Sequence, residues 1–504
     1  MKIWSIHCLT VYCRCDPKPK IMLPNKSIKN IWELKNSFTP AWVNPDFIFR
    51  EFKAVRFSKV GKSFNAFKLR GYSFESVFTI LITLVVLGEA TISSLTSSVW
   101  YKSYKAGKDV FYRLKNNPCI CWRQILWSFA IRYRKVTEKE ASQGDGIKCL
   151  IFDDTDLTKT GRRMEHVGRI WNHVLNASIL GFKMLVMGYW DGTCFIPLDF
   201  SFHREKGKNK EKPYGMTKRD IKRQYRKKRD KDSYGQQRVR ELDMNKIDSA
   251  LKMFWGAIFR GFKADYVLLD SWFTCEAFIH AIKKVTTHTV HLIGMYKIAK
   301  QKFMYQGKEL TYSQIRNMLG KPRRCRKMRL YYHEVEVMLN QCQVKLFFSR
   351  HGKNGKWKVF LTTNLELSFI QLIEIYQTRW TMEVFFKEGK QLLGLGKCQS
   401  NDFDAQIADT TITLVQYILL TIRHRFDRYE TKGELFRTMQ QEILDLRLNE
   451  RLMGLLIEIL NIMEDLFEID AYELIEKMMN HEKTYQKLSA LFEGKVTNPL
   501  PQAA

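Results

Sequence analysis

The sequence lacks the cysteine patterns and nucleophile constellations of several common protein classes. Of its eleven cysteines, the closest pairs are Cys13 with Cys15 and Cys119 with Cys121. Neither pair has the two-residue gap of a zinc knuckle, so we expect reduced, mostly buried thiols and no zinc site. No Ser/His/Asp or Cys/His constellation is recognisable either, and the sequence therefore does not indicate a covalent protein nucleophile.

Long apolar runs are also missing. The most apolar stretch, Phe78–Gly88, is eleven residues long, which is too few to span a bilayer, and Glu89 follows directly. The stretch is typical of a buried helix, and no membrane partner is predicted. The first residues, Met1–His7, contain too little apolar sequence for a signal peptide, so none is expected.

Acidic residues are scarce relative to basic ones. Lysine and arginine total 83 and aspartate and glutamate 52, which gives a net charge of +31. Such an excess favours a polyanionic partner, although a ribosomal or membrane-surface protein would share it. A hydrophobic content of 45% argues against an unfolded basic tail, and 504 residues suffice for two or three domains.

One short stretch carries four polar residues at helical spacing. Tyr376, Arg379, Glu383 and Lys390 are three, four and seven residues apart. At about 100° per residue, all four side chains fall within about 60° of one another on a helix. A carboxylate between two cations and a phenol suits a surface that handles phosphate. The alternative is an amphipathic helix with chance ion pairs on its polar face.

Two apolar runs upstream each end in aspartate. Residues 147–152 precede Asp153 and Asp154, and residues 264–269 precede Asp270. Both runs are typical of buried strands. A carboxylate just past a buried strand often belongs to a site at the edge of the sheet, but capping of the next helix or turn explains each aspartate equally well.

Together these features resemble the DDE transposases of bacterial insertion sequences, in the insertion-sequence-four group. The family signature Y-(2)-R-(3)-E-(6)-K is matched by Tyr376, Arg379, Glu383 and Lys390. The resemblance covers roughly residues 69–425. It implies a catalytic domain of α/β class with a ribonuclease-H-like fold.

The resemblance also implies a metal-binding triad. Asp153, Asp270 and Glu383 would be the catalytic residues and would bind two Mg²⁺ (or Mn²⁺) ions, which prefer hard oxygen ligands. Asp154 competes with Asp153, because successive strand residues face opposite sides of a sheet. We favour Asp153, since the first aspartate of the family usually lies two residues before a threonine, as Asp153 lies before Thr155.

Further residues are implied to contact DNA. Arg379 and Lys390 would hold phosphates, and Tyr376 would touch a phosphate or a displaced base. Trp272 and Trp380 are candidates for stacking on such a base, with buried packing an equal alternative for each.

The domain organisation combines these assignments with the residue patterns along the chain. A basic N-terminal segment precedes a helical region that resembles the family's DNA-binding region. The catalytic domain carries a charge-dense loop, expected to be solvated and partly disordered, and a β-rich insertion that includes residues 291–298. Asp191 and Gly192 predict a two-residue hairpin turn. The predicted bounds are 1–68 (basic segment), 69–142 (helical), 147–425 (catalytic), 204–240 (basic loop), 287–357 (β-rich insertion) and 426–504 (helical C-terminal region).

The function implied by the resemblance is DNA transposition. The protein would bind the terminal inverted repeats of an insertion sequence, cleave both strands and join the ends to a target. We expect double-stranded DNA as partner, a homodimer on DNA, and a cytoplasmic, nucleoid-associated location in a prokaryote. The alternatives are a ribonuclease-H-like, structure-specific DNA nuclease and a non-catalytic DNA-binding protein derived from a transposase.

Overall fold

The structure is a computed structural model. It describes residues 71–85, 91–97, 106–138, 146–297, 301–352, 354–426 and 431–438, with single positions or short pieces at 55, 440, 480–484 and 486–487. The basic segment 1–68, apart from position 55, and most of the C-terminal region lie outside the described residues. The chain divides into two compact units, one of Lys53–Ile82 with Asp109–Arg428, the other of Met1–Phe52, Thr83–Lys108 and Tyr429–Ala504.

The larger unit is a mixed α/β structure built on one twelve-stranded sheet. The strand order is β2-β3-β1-β5-β6-β12-β11-β10-β7-β8, with β4 paired to β3 and β9 paired to β10. The strands are β1 (Cys149–Thr158), β2 (Gly168–Asn172), β3 (Ala177–Trp190), β4 (Phe195–His203), β5 (Tyr266–Leu269), β6 (His291–Tyr296), β7 (Lys302–Tyr305), β8 (Lys308–Thr311), β9 (Arg323–Cys325), β10 (Leu330–Leu339), β11 (Cys342–His351) and β12 (Lys358–Thr362).

The structure gives the bounds of twelve α-helices. They are α1 (Phe74–Thr83), α2 (Ile92–Ser97), α3 (Lys108–Lys115), α4 (Trp122–Glu138), α5 (Lys218–Arg223), α6 (Tyr234–Glu241), α7 (Lys246–Phe259), α8 (Glu276–Lys283), α9 (Tyr312–Met318), α10 (Phe369–Gln377), α11 (Thr381–Gln391) and α12 (Phe403–Phe426). Short 3₁₀ turns lie at Pro213–Gly215 and Thr378–Trp380.

Strand β1 is longer than its apolar run predicts. It pairs in parallel with β5 only as far as Phe152, opposite Leu269, but antiparallel with β3 along its whole length to Thr158. Asp153 and Asp154 therefore lie within the strand and not just past it. Because β5 ends at Leu269, the carboxylates stand where β1 loses its parallel neighbour.

The hairpin predicted at Asp191 and Gly192 is present between β3 and β4, but its loop has four residues. Trp190 pairs with Phe195 across the turn. Asp191 Oδ1 accepts the backbone N–H groups of Thr193 and Cys194, and Gly192 adopts φ +98°. The prediction of a two-residue loop was wrong because the aspartate side chain closes a wider turn.

The residues predicted as a β-rich insertion extend the main sheet. Strand β6, which we had grouped with the insertion, pairs in parallel with β5, from Tyr266 opposite His291 to Leu269 opposite Gly294. Strand β12 then pairs antiparallel with β6, and β11, β10, β7 and β8 follow. The strands beyond β6 thus form one antiparallel continuation and not a separate sheet.

Helices α1, α3 and α4 of the predicted N-terminal region lie in the same compact unit as the sheet. In α1, Phe78 is buried and lies 6.3 Å from Trp122 and 6.4 Å from Phe129 of α4, measured between ring centroids. Helix α4 in turn packs against α12 and β4. Since α3 and α4 share a compact unit with the sheet, residue 142 does not separate two compact units.

Helix α12 is the one described helix long and apolar enough to cross a membrane by length and composition. An 18-residue window within Phe403–Arg425 is 94% buried within the protein, which is typical of a core helix. Two of its side chains, Asp404 and Asp409, form ion pairs with Lys227 and Lys115, respectively.

The charge-dense segment 204–240 is not the solvated, disordered loop we expected. It contains α5, α6 and a 3₁₀ turn. The side chain of Arg229 is 2% exposed and pairs with Glu165 at 2.5 Å and Asp404 at 3.0 Å. Lys227 pairs with Asp402 and Asp404, each at 2.8 Å. Carboxylates from distant parts of the chain thus fix the segment to the core.

Candidate active site

The two aspartates come from neighbouring parallel strands. Asp153 lies on β1 directly after the buried residue Phe152, and Asp270 follows the last residue of β5. Asp270 Oδ1 accepts the backbone N–H groups of Trp272 at 2.9 Å and Phe273 at 3.0 Å. This Asx-type turn fixes one carboxylate oxygen of Asp270, so the aspartate closes a turn and also borders the site.

The signature stripe spans two helices joined by a 3₁₀ turn. Tyr376 lies on α10, Arg379 in the turn, and Glu383 and Lys390 on α11. We had expected one continuous helix. The backbone stays in the right-handed helical region through Thr378 and Trp380, so the side chains keep nearly the helical spacing despite the tighter turn.

Arg379 joins the stripe to the first aspartate. Its guanidinium lies 2.9 Å from Asp153 Oδ2 and 2.7 Å from Glu383 Oε1, and its side chain is only 15% exposed. The second contact is an i,i+4 ion pair, which the alternative interpretation of an amphipathic helix predicted. A planar guanidinium suits this bridge because its donors point in fixed directions. Arg379 therefore brings carboxylates from residues 153 and 383 to one place.

The electrostatics show that the carboxylates crowd one another. Burial raises the pKa of Asp153 to about 7, with Arg379 opposing the shift and the negative charges of Asp270 and Glu383 adding to it. Burial likewise raises the pKa of Asp270, and Asp154 adds to that shift. The three acidic residues thus lie within electrostatic reach in a partly buried site that Arg379 neutralises incompletely.

The carboxylates fit a divalent cation in their donor chemistry. Within the described ranges, no three Asp, Glu, His or Cys side chains stand close enough together to hold a metal ion as they are, and Arg379 lies between two of the carboxylates. However, Glu383 Oε2 is buried without a hydrogen-bond partner in the part of the chain described. Carboxylate oxygens are also the ligands that Mg²⁺ and Mn²⁺ prefer.

Asp154 faces a different group from Asp153. Its Oδ2 atom lies 2.6 Å from Lys246 Nζ at the start of α7, whereas Asp153 contacts Arg379. The alternation of side chains along β1 accounts for this division. Nothing in the local sequence around Lys246 indicated the pair, because its partner is 92 residues away.

Tyr376 does not point towards solvent. Its hydroxyl donates to the carbonyl oxygen of Leu269 at 3.1 Å, and its ring meets Phe360 edge-on, with centroids 5.1 Å apart. Burial raises the pKa of the phenol to about 12. Because Leu269 immediately precedes Asp270, this hydrogen bond joins α10 to the end of β5 beside the carboxylates. The contact of Tyr376 with DNA stays a prediction.

Lys390 of α11 contacts the face of β1 that bears Asp153. Its Nζ atom lies 2.7 Å from Thr155 Oγ1, and Thr155 is two residues beyond Asp153 on the strand. Burial lowers the pKa of the Lys390 ammonium, while Asp156 opposes that shift. The group is a cation beside the carboxylate cluster, with a neutral hydroxyl as its hydrogen-bond partner.

The two tryptophans are both exposed, which argues against buried packing for either. Trp272 is 50% and Trp380 is 64% exposed. Trp272 meets Phe273 edge-on at 5.0 Å, and Lys246 Nζ lies 4.8 Å from the centre of its ring. Both indoles therefore have surface available for a stacking partner.

A comparison with protein families matches the chain to a DDE superfamily endonuclease over residues 83–335. The match spans 253 residues, half of the 504-residue chain (335 − 83 + 1 = 253). The chain belongs to the DDE superfamily of endonucleases. The matched region contains Asp153 and Asp270 and ends before Glu383.

This DDE superfamily endonuclease is thus an enzyme of nuclease or transposase type. Endonucleases of this superfamily generally use divalent metal ions, which agrees with the donor chemistry of the site. The mixed α/β architecture agrees with a DDE nuclease domain. No curated protein shows significant similarity to the chain.

Proposed function

We propose that this DDE superfamily endonuclease is a transposase of the insertion-sequence-four group, which binds terminal inverted repeats and catalyses DNA cleavage and strand transfer. The observation that carries the proposal is the bridge that Arg379 forms between Asp153 and Glu383, beside the end of β5 that Asp270 follows. These residues come from three separate segments, and Glu383 lies within the Y-R-E-K signature.

The carboxylates would hold two Mg²⁺ or Mn²⁺ ions. Such ions supply Lewis-acid stabilisation of the attacking and leaving oxygens of a phosphodiester. Arg379, which bridges Asp153 and Glu383 at 2.9 and 2.7 Å, would turn from the carboxylates to a DNA phosphate. Lys390 would hold a neighbouring phosphate from the Thr155 side of the strand.

The strand order supports a ribonuclease-H-like core. Strands β4, β3, β1, β5 and β6 are adjacent in that order. Strands β1, β5 and β6 run parallel, while β3 is antiparallel to both β1 and β4. This layout brings the carboxyl end of β5 beside the middle of β1, where the two aspartates lie.

The proposed partner is double-stranded DNA, bound by a homodimer in the cytoplasm of a prokaryote. A net charge of +31 supports a polyanionic partner. The exposed indoles of Trp272 and Trp380 support stacking on a base displaced near the cleavage point. The second candidate, a structure-specific nuclease, would use the same carboxylates without regard to terminal repeats.

Cleavage and binding assays on the ends of the element test the proposal. Asp153→Asn, Asp270→Asn and Glu383→Gln should each abolish cleavage, because metal ligation is assigned to them, while DNA affinity stays nearly unchanged. Asp154→Asn is the matched control and should retain cleavage. Near-normal cleavage by Glu383→Gln would rule out the triad, and activity of Asp153→Asn with loss in Asp154→Asn would reverse the assignment on β1. Equal cleavage of ends and unrelated branched DNA would favour the nuclease.

Metal dependence gives a separate test of the same site. Mg²⁺ or Mn²⁺ should support cleavage and Ca²⁺ should not, because Ca²⁺ takes more ligands at longer distances than a two-metal site tolerates. The measurement is product formation in each metal and after addition of a chelator. Full activity in excess chelator would contradict the proposal.

A further inference from the structure

A second basic region lies on the antiparallel extension of the sheet. Residues 321–329 include six basic side chains, all exposed, at Lys321, Arg323, Arg324, Arg326, Lys327 and Arg329. The run begins before β9 and ends just before β10. None of these residues belongs to the carboxylate site described above.

Cross-strand pairing sets arginines from this region in a row with aromatic rings. Arg324 of β9 is directly opposite Tyr331 of β10, and Tyr331 is directly opposite Arg350 of β11. The guanidinium carbons of Arg324 and Arg350 lie 5.9 and 5.8 Å from the centre of the Tyr331 ring. Tyr331 is therefore held between two cations, within the range of a cation–π contact.

The row continues beyond Arg350. Arg350 lies 4.6 Å from the ring centre of Trp357, and Arg316 of α9 lies 5.7 Å from the same ring. We call Arg324, Tyr331, Arg350, Trp357 and Arg316 the arginine–aromatic row. Its three guanidinium groups alternate with its two rings.

The row lies on the opposite face of the sheet from α10. Tyr332, the neighbour of Tyr331, stacks on Phe369 of α10 with ring centroids 4.2 Å apart, so the odd-numbered residue Tyr331 points to the other face. Strand β10 is five strands from β1 in the sheet. At about 4.8 Å per strand, the row is roughly 24 Å from the strand of Asp153 and forms a separate surface.

The arginines of the row have no carboxylate partner. Within the part of the chain that the structure describes, no Asp or Glu lies within salt-bridge distance of Arg316, Arg324 or Arg350, whereas Arg323 pairs with Glu334 at 2.7 Å. The aromatic rings fix the direction of the guanidinium groups without neutralising them. Such preoriented, planar donors suit phosphate oxygens.

We propose that the arginine–aromatic row is a docking surface for the phosphate backbone of duplex DNA. A duplex is favoured over a single strand because both sides of Tyr331 already face arginines, which leaves little ring surface for unpaired bases to stack on. The choice of DNA over RNA rests on the proposed function. The surface would hold a stretch of duplex away from the bond being cut.

Binding of the full-length protein to a random-sequence duplex, without divalent metal, tests the row. Affinity would be measured by fluorescence anisotropy from about 50 to 300 mM salt, where counterion release dominates. Arg324→Gln should lower the slope of log affinity against log salt by about 0.9, and Arg324→Gln with Arg350→Gln by about 1.8. The double variant should weaken binding roughly tenfold at about 100 mM salt.

Arg323→Gln is the matched control, because it removes the same charge from the adjacent residue on the same strand. Because Arg323 already pairs with Glu334, Arg323→Gln should change the salt slope by less than half as much as Arg324→Gln does. Since Arg324 is exposed, Arg324→Gln should fold normally even if Arg350→Gln does not. Equal slopes for Arg324→Gln and Arg323→Gln would overturn the proposal.

Competition with other nucleic acids completes the test. Loss of single-stranded DNA or duplex RNA binding in Arg324→Gln, with duplex DNA binding unchanged, would also overturn the proposal. The assay contains no cleavage step, so its outcome is separable from that of the triad. If Glu383→Gln still cleaves DNA, the proposed chemistry fails. Weaker binding of duplex DNA by Arg324→Gln would still support the docking surface in that case.

Discussion

Two stretches rich in lysine and arginine look alike in the sequence but have different structural roles. In residues 204–240, Lys227 and Arg229 point inwards and pair with carboxylates of the core, and Arg238 is buried beside Glu241. In residues 321–329 all six basic side chains are exposed. Arg324 of that run faces an aromatic ring and not a carboxylate.

The difference shows that the number of cations in a stretch does not measure its capacity to bind DNA. The partners of Arg229 are Glu165 and Asp404, which are 64 and 175 residues away. In a buried ion pair, the carboxylate neutralises the cation, which is then not available to bind DNA. An arginine over an aromatic ring has no such neutralising partner. The position of distant carboxylates decides which cations remain available.

The largest expected effect comes from a buried cation of the first stretch. Arg229→Ala should lower the free energy of unfolding by about 3–5 kcal/mol, because it leaves Glu165 and Asp404 buried without their shared partner. Chemical denaturation followed by circular dichroism measures this change. Arg226→Ala, at an exposed position nearby, should change the stability by less than about 0.5 kcal/mol. Similar effects of the two variants would remove the distinction between buried and exposed cations within residues 204–240.

A pH titration sharpens the same comparison through Glu241. Although burial opposes it, the charges of Arg238 and Arg123 hold the pKa of Glu241 at about 2, below its ordinary 4.5. The lowered pKa means that the ionised carboxylate stabilises the fold. This contribution is fully present above pH 4.5 and is lost as the pH falls towards 2. The contribution is about 3 kcal/mol.

Denaturation curves from pH 6 down to the acid transition would measure this contribution. Glu241→Gln should be less stable than the wild-type protein at pH 6, and the gap should narrow as the pH falls. Glu336→Gln, at an exposed position, serves as the control and should parallel the wild-type curve. A difference in stability between the wild-type protein and Glu241→Gln that does not change with pH would contradict the pairing of Glu241 with Arg123 and Arg238.

The smallest effect should come from the exposed cations of the first stretch. Changing Lys218, Arg219, Lys222 and Arg223 of α5 to glutamine together should weaken duplex binding modestly and lower the salt slope by less than about 0.9 in total, the change expected for Arg324→Gln alone. Stability should remain within about 0.5 kcal/mol of wild type. Binding to terminal repeats and to random duplexes should fall equally, because such contacts do not read base edges. A selective loss of terminal-repeat binding would make α5 a specificity element.

The parts of the site that depend on local periodicity could be predicted from the sequence. The spacing of Arg379 and Glu383 predicted side chains on one face of a helix, and the two side chains lie 2.7 Å apart. The apolar runs before Asp153 and Asp270 likewise predicted two buried strands, which the structure places side by side. These features follow from the geometry of a helix or strand over a few residues.

Features that depend on distant partners could not be predicted in this way. The hydroxyl of Tyr376 donates a hydrogen bond to the carbonyl oxygen of Leu269, 107 residues away. Lys246 pairs with Asp154 across 92 residues. The parallel pairing of β6 with β5 and the burial of Arg229 are of the same kind. Each is set by tertiary contacts that leave no periodic signal near the residue concerned.

The pairing of β1 with β5 has a consequence for synthesis of the chain on the ribosome. Phe152 is opposite Leu269, so 117 residues separate the two partners (269 − 152 = 117). At about 5 to 20 residues per second, the second strand emerges roughly 6 to 23 seconds after the first. Strand β3 covers one edge of β1 early, but the other edge, with its apolar residues Leu150 and Ile151, waits unpaired. During that interval the nascent polypeptide presents a template for wrong strand pairing, and a chaperone has its longest opportunity to act.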